Sequence, residues 1–155
     1  KRLRLDAQIV ESDIRKFQPD IPFDAVLIDA PCSSTGTVRR HPDVPWTKSR
    51  ADIEKLAALQ RALLDHAVTL VKPGGRVVFS NCSLDPAEGE AMLETFLAET
   101  PEVSLDPVRS DELPGIAAFV TPEGFMRTTP ADSLAEAPLA QGLDGFFAAR
   151  LVRRR

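Results

Sequence analysis

The sequence predicts an α/β fold, in which helices pack against a mostly parallel sheet. A continuous apolar run at 23–28 is typical of a strand buried on both faces, and a second apolar strand is predicted at 76–80. Between them, apolar residues recur at helical spacing from Ser49 onward. At 155 residues, 43% of them apolar, the chain can bury one core, so we expect a single domain over 1–155.

The N-terminal half is divided by clear local signals. Residues 7–10 predict a short strand that ends near Asp13. The segment "SRAD" offers a capping box for the long helix, whose apolar stripe extends to Val71. Gln60 falls inside that stripe, either as a polar defect or as a contact with a neighbouring loop.

The C-terminal half predicts a further helix, a further strand and a hairpin. "KPGG" ends the long helix, and residues 85–88 resemble the N-terminus of another helix, with Asp at the cap and Pro in the first turn. "VSLDPV" predicts a strand, and residues 109–123 are expected to be irregular. "GFMRT" and "DGFFAARLV" predict two paired antiparallel strands near the end of the chain.

Composition narrows the class of protein. No apolar run approaches the length of a membrane span, and the chain does not open on a signal-peptide pattern. Two cysteines without framework spacing favour a reducing, cytoplasmic setting, with an isolated disulfide as the alternative. Because the first residue is Lys1 rather than Met, we expect the natural start to lie upstream.

The two cysteines are predicted to meet. A strand–helix–strand crossover puts both strand ends at one edge of the sheet, and Cys32 and Cys82 each follow such an end. Asp29 and the loop at 37–50 should share this crevice. A zinc site is disfavoured because only His41 could join the thiols. A redox disulfide and a thiolate nucleophile assisted by a second thiol stay open.

Five blocks of the chain carry a specific resemblance. "DAPCSSTG", "RRHPD..W", "LQ..LLDHAVTLVKPGG", "FSNCS..P.EGE" and "DGFFAARL" together resemble the catalytic domain of RNA 5-methylcytosine methyltransferases, the RsmB/Sun/Fmu (NOL/NOP/Sun) family. The blocks cover nearly the whole chain in the family's order. The resemblance implies a Rossmann-like fold that uses S-adenosylmethionine, and RNA as substrate, ribosomal RNA before transfer RNA.

The resemblance also implies residue roles. In that family the cysteine of the later block attacks carbon-6 of cytosine, and the cysteine of the "APC" block helps to release the product. By position these roles fall on Cys82 and Cys32. Asp29 matches the acid at the cytosine edge and, with Pro31, adjoins the cofactor. Asp13 matches the acid that contacts the adenine, with a turn aspartate as the alternative.

The chain departs from the family pattern near Cys82 and at its start. Asn81 replaces the usual threonine, and "EGE" at 88–90 stands where an asparagine often separates two acids; neither touches the reacting atoms, so we expect tuning only. The family's sheet order, 3-2-1-4-5-7-6, implies that two strands and the glycine-rich loop belong upstream of Lys1. The truncated chain should then be inactive alone, bind cofactor weakly, and either self-associate through the edge at 23–28 or move its first strand across the gap.

Positive charge is concentrated beside the predicted crevice. The segment 37–50 carries one acid, the lone tryptophan Trp46 and four cations: Arg39, Arg40, Lys48 and Arg50. This pattern predicts contact with RNA phosphates despite a net charge of -4, with an ordinary solvated surface as the alternative. Two other interpretations remain open: a noncatalytic RNA-binding module with inert thiols, and a thiol redox protein.

Overall fold

The structure, a computed structural model, describes residues 6–132 and 142–155. It contains a five-stranded sheet with α-helices packed against it. The strands are β1 (Phe23–Asp29), β2 (Val71–Asn81), β3 (Val103–Leu105), β4 (Met126–Thr128) and β5 (Phe146–Arg153). The α-helices are α1 (Val44–Thr47), α2 (Arg50–Leu70) and α3 (Glu90–Glu99).

The sheet has the order β1-β2-β5-β3, and β4 also pairs with β5. The parallel pair β1 and β2 is connected through α2, whereas β5 runs antiparallel to each of its neighbours. In family strand numbers this is the predicted order 4-5-7-6. The α/β class and the pairing of the "GFMRT" and "DGFFAARLV" segments are therefore confirmed.

Helix α2 supports the parallel pair. It begins as the sequence predicts, because the Ser49 hydroxyl accepts from the Asp52 N–H and the Asp52 carboxylate accepts from the Ser49 N–H. Its buried aliphatic residues are Leu63, Leu64, Ala67, Val68 and Leu70. They join a core that includes Phe79, Phe96 and Phe147, and burial of each large aliphatic side chain contributes about 1.5–3 kcal/mol.

The predicted strand at 7–10 is wrong. These residues form no strand, and Ile9 is 91% exposed. An extended segment needs a hydrogen-bonded neighbour, and the described residues offer none beside it. Asp13 accordingly does not end a strand; it caps a short 3-10 helix at Ile14–Lys16.

Two boundaries differ from their predictions because of glycines. Strand β2 begins at Val71 rather than Arg76, and residues 72–75 bulge out of register opposite β1, with Gly74 at a φ of 82°. Residues 86–88 form a 3-10 turn, and α3 begins only at Glu90, because Gly89 has non-helical backbone angles.

Strand β1 is an edge strand within the part of the chain that the structure describes. Leu27 on this strand is 70% exposed. Among the described residues, none of the helices combines the length and the apolar character needed to cross a bilayer.

Candidate functional site

The two cysteine loops meet where β1 and β2 end. Cys32 and Cys82 are both half-buried, and their Sγ atoms lie 3.4 Å apart. The register of the parallel pair continues into the first loop, because the Ala30 N–H donates to the Ser80 carbonyl at 2.8 Å. The crossover argument thus predicted this meeting correctly from strand order alone.

Local backbone geometry brings the first loop against the second. Ser34 adopts a φ of 59°, an uncommon left-handed conformation for a residue other than glycine, and its hydroxyl lies 3.7 Å from the Cys82 sulfur. The Gly36 N–H donates to the Cys82 carbonyl at 2.9 Å. A Cβ at Gly36 would clash with Gly145 and lie 2.7 Å from that carbonyl oxygen, so only glycine fits here.

The environment of Cys32 favours its neutral form. Burial, reinforced by the side chain and charge of Cys82, raises the pKa of the Cys32 thiol to about 11, although backbone N–H groups oppose the shift. Cys32 is therefore protonated near neutral pH, and its S–H can donate to the neighbouring sulfur.

A buried carboxylate joins both loops, and sequence reasoning missed it. Glu88 is fully buried. One of its oxygens accepts from the Ser33 N–H and from the Gln60 amide, both at 2.9 Å. The other accepts from the Ser83 hydroxyl at 2.7 Å and from the Ser33 hydroxyl. The available signal was the segment "EGE" at 88–90, which puts Glu88 six residues after Cys82. A buried acid at that position requires hydrogen-bond donors.

The interpretation of Gln60 as a contact with a loop is confirmed. Its amide also donates to the Pro31 carbonyl at 2.9 Å, so it connects α2 to the Cys32 loop. Asn81, the departure from threonine, is fully buried and makes the matching connection in the other loop. It donates to the Glu88 carbonyl at 2.6 Å and accepts from the Ser83 N–H at 2.9 Å.

A pocket of about 460 Å³ opens beside the end of β1. It brings together all three residues predicted to adjoin the cofactor, Asp13, Asp29 and Pro31, with apolar walls from β1 and α2. Hydrogen bonds from Arg15 lower the pKa of Asp13 to about 2, so this carboxylate is ionised and acts as an acceptor. The pocket thus offers an apolar slot between two acids.

The basic segment lies next to the cysteines, but most of its cations already have partners. Arg39 donates to the Gly142 carbonyl at 2.9 Å, and Arg40 forms an ion pair with Asp144. The pKa of Arg40 is raised by Asp144, and Cys82 contributes to the same shift. Arg50 pairs with Glu54 at 3.2 Å.

Lys48 and Trp46 complete this segment. Lys48 has no carboxylate within ion-pair distance among residues 6–132 and 142–155. Trp46 lies on α1 and is 89% exposed. Over the same two described stretches, His, Cys, Asp and Glu side chains form no group of three that could hold a metal ion.

The sheet order and the pocket at the strand ends define a Rossmann-like methyltransferase fold. The chain belongs to the 16S rRNA methyltransferase RsmB/F family, whose sequence model matches residues 1–152.

Bacterial relatives agree with this assignment. A ribosomal RNA small subunit methyltransferase B from Shewanella oneidensis is 36% identical over 98% of this chain, which covers 33% of that protein. The corresponding protein from Cronobacter sakazakii is 36% identical over 99% of the chain, which covers 32% of it. The chain thus spans about a third of the length of the curated relatives it matches.

Solved structures show the same fold. The structure of NSun6 from Pyrococcus horikoshii with SFG is 26% identical, with a TM-score of 0.71, over 96% of this chain and 35% of that one. A methyltransferase homolog from Pyrococcus horikoshii, also 26% identical, gives a TM-score of 0.59 over 88% of this chain and 40% of its own.

Proposed function

We propose that this chain supplies the cysteine-bearing part of an RNA cytosine-5 methyltransferase, active on ribosomal RNA in the cytoplasm. The observation that carries the proposal is the 3.4 Å separation of the Cys32 and Cys82 sulfurs at the sheet edge. Carbon-5 of cytosine is a poor nucleophile until a thiolate adds at carbon-6, so this chemistry requires a thiol in such a position.

The unequal surroundings of the two thiols support unequal roles. Cys82 attacks carbon-6, and the Cys32 S–H stabilises its thiolate before the attack. Once the carbon–sulfur bond forms, Cys82 is no longer charged, which removes part of what raises the pKa of Cys32. Cys32 can then lose its proton to water, accept the proton of carbon-5, and so let the carbon–sulfur bond break.

The cofactor implied by this chemistry is S-adenosylmethionine, which supplies the methyl group. The pocket beside β1 fits such a group: its apolar slot suits an aromatic base, and ionised Asp13 can accept from an amine. Asp29 and Pro31 line the side of the pocket next to the Cys32 loop. Asp29 is exposed, so its carboxylate is free to contact cofactor or cytosine.

The basic segment is the proposed RNA contact. The ion pairs of Arg40 and Arg50 are exposed, and exposed pairs contribute only about 0–1 kcal/mol, so they can exchange for phosphate. Lys48 and Arg39 add charge beside them, and Trp46 offers an aromatic face to an unpaired base. By this proposal the 155-residue chain alone is inactive, since it spans a third of its relatives.

The decisive experiment traps the intermediate. The full-length protein should form a covalent complex with RNA containing 5-fluorocytosine, because fluorine at carbon-5 blocks the final elimination. Cys82→Ala should abolish both trapping and turnover. Cys32→Ala should instead accumulate an adduct with natural cytosine. Thr95→Ala, on the exposed side of α3, serves as the control. Methylation by the Cys82 variant would show that the roles are wrongly assigned.

One observation also favours a second candidate, a thiol redox protein. Sulfurs in contact can form a reversible disulfide, but redox-active cysteines carry a lowered pKa, whereas that of Cys32 is raised. A thiol redox protein should have no affinity for cytosine, which separates it from a methyltransferase. Alkylation separates the methyltransferase from a further candidate, a noncatalytic RNA-binding module. An activated Cys82 reacts rapidly near neutral pH in a methyltransferase, whereas inert thiols of a noncatalytic module react slowly.

A further inference from the structure

We propose that Glu88 is a positioning residue that holds the Cys32 and Cys82 sulfurs in contact. The effect of Glu88 on catalysis rests on the proposed function, whereas its effect on the distance between the sulfurs does not. Glu88 does not adjoin either cysteine in sequence. Its carboxylate nevertheless accepts hydrogen bonds from Ser33 and Ser83, the residues that directly follow Cys32 and Cys82.

The carboxylate is fully satisfied by donors from three separate segments. Ser33 contributes its N–H and hydroxyl, Ser83 its hydroxyl, and Gln60 its amide. Each oxygen therefore accepts two hydrogen bonds, the number that an ionised carboxylate accommodates best. A buried carboxylate with such a set of donors holds its surroundings in place, because moving either loop would leave its oxygens without hydrogen-bond partners.

The backbone of Glu88 extends the same restraint to the other side of Cys82. Its carbonyl accepts from the Asn81 amide at 2.6 Å. Glu88 thus binds both sequence neighbours of Cys82, Asn81 and Ser83. It also binds Ser33, the residue after Cys32. The bonds between Ser33 and Glu88 connect residues 55 positions apart in the sequence, which no local turn could do.

The catalytic consequence follows from the separation of the sulfurs. If the loops drift apart, Cys82 can still attack carbon-6, but Cys32 no longer assists its thiolate or removes the carbon-5 proton. Loss of Glu88 should therefore slow product release more than adduct formation. A purely structural defect would reduce both in proportion to the loss of folded protein.

The geometric claim has its own test, which needs neither RNA nor cofactor. In a glutathione redox buffer, one thiolate displaces glutathione from its disulfide, and the second thiol closes the Cys32–Cys82 disulfide and releases another glutathione. The equilibrium constant reports the effective concentration of the two thiols. Glu88→Ala should lower it by at least about tenfold. Glu88→Gln should stay within about twofold, because the two serine hydroxyls can turn to accept from the new amide.

A matched control is Glu112→Ala, which removes a carboxylate bonded to Arg150 outside both cysteine loops. An effective concentration in Glu88→Ala equal to that of wild type, or lowered equally in Glu112→Ala, would overturn the proposal. If Glu88→Ala does not fold, Ser33→Ala removes one donor and should give a smaller loss. Failure of 5-fluorocytosine trapping in the wild-type protein would count against the proposed function and leave this measurement intact.

Discussion

The acid–base behaviour of Cys32 depends on its burial and on its neighbour Cys82. Cys32 is kept neutral chiefly by burial, and the neighbouring Cys82 adds to that effect. The neutral Cys32 S–H can donate its proton in a hydrogen bond to the Cys82 sulfur, so the two sulfurs share one proton. The order of events in the proposed reaction follows from this asymmetry at the scale of single residues.

The raised pKa of Cys32 predicts a pH dependence of stability. The pKa is 9.0 ordinarily and about 11 in the fold, so the folded state holds the proton more tightly. The stabilisation is complete below pH 9 and is lost as the pH rises toward 11, because the unfolded chain ionises first. Urea unfolding under reducing conditions should show a larger loss between these values in wild type than in Cys32→Ala. Parallel profiles would contradict the shift.

Two loops hold the cysteines, and a third segment, 37–50, carries the positive charge beside them. The Cys32 and Cys82 loops are joined by the Gly36 N–H, which donates to the Cys82 carbonyl, and by Glu88, which accepts from Ser33 and Ser83. The segment that contains α1 is attached instead through ion pairs of exposed arginines, Arg40 with Asp144 and Arg50 with Asp85. Such pairs are weak in water, so this segment can rearrange when a polyanion approaches.

Neutralising the basic segment should change how RNA binding depends on salt. Replacing Arg39 and Lys48 with Gln removes two cations that lack carboxylate partners among the described residues. Each lost phosphate contact lowers the slope of log affinity against log salt by about one unit. A filter-binding series over salt concentration measures it, with Lys55→Gln on α2 as the control. An unchanged slope would make this segment ordinary solvated surface.

For the molecule as a whole, the main feature is that the described sheet ends at β1 in an unpaired edge. β1 pairs only with β2 in the described residues, and Leu27 and Phe23 are exposed there at 70% and 40%. Unpaired strand edges with exposed apolar residues are templates for further strands. Residues 7–10 form no strand and do not pair with this edge, so of the two expected outcomes self-association is the one that remains.

We therefore expect the 155-residue chain to self-associate through β1. Sedimentation velocity should show a concentration-dependent dimer or larger species, and Leu27→Lys should shift it toward monomer, because a charge opposes pairing at the edge. Trp46→Lys, which changes an even more exposed apolar residue outside the edge, should leave the association unchanged. A monomer at all concentrations would exclude this edge as an interface.

The same chain should bind S-adenosylmethionine weakly or not at all. The pocket that holds Asp13 and Asp29 is walled by β1, α2 and the turn at 13–15, and these provide no glycine-rich loop for a ribose or carboxylate. Isothermal titration calorimetry of the chain and of the full-length protein compares the two affinities. Equal affinities would show that the described pocket is sufficient.

The local sequence pattern determined most of the helices and strands, and also one feature of the site, the proximity of the two cysteines. The capping box at Ser49 and the apolar run of β1 are set by neighbouring residues, and crossover handedness then brings Cys32 and Cys82 to one edge. These inferences need no knowledge of distant contacts. The α/β class and the proximity of the two thiols therefore follow from the amino-acid sequence without the tertiary structure.

The tertiary structure alone decided what depends on distant partners. Residues 7–10 have a strand-like pattern, but a strand forms only where a neighbour accepts its hydrogen bonds. The pattern at 85–88 indicates only the start of a helix, and the hydrogen bonds of Glu88 to Ser33, Gln60 and Ser83 are visible only in the fold. The physical reason is the same in both cases: a backbone edge or a buried charge is satisfied by groups far away in sequence, and spacing along the chain does not specify them.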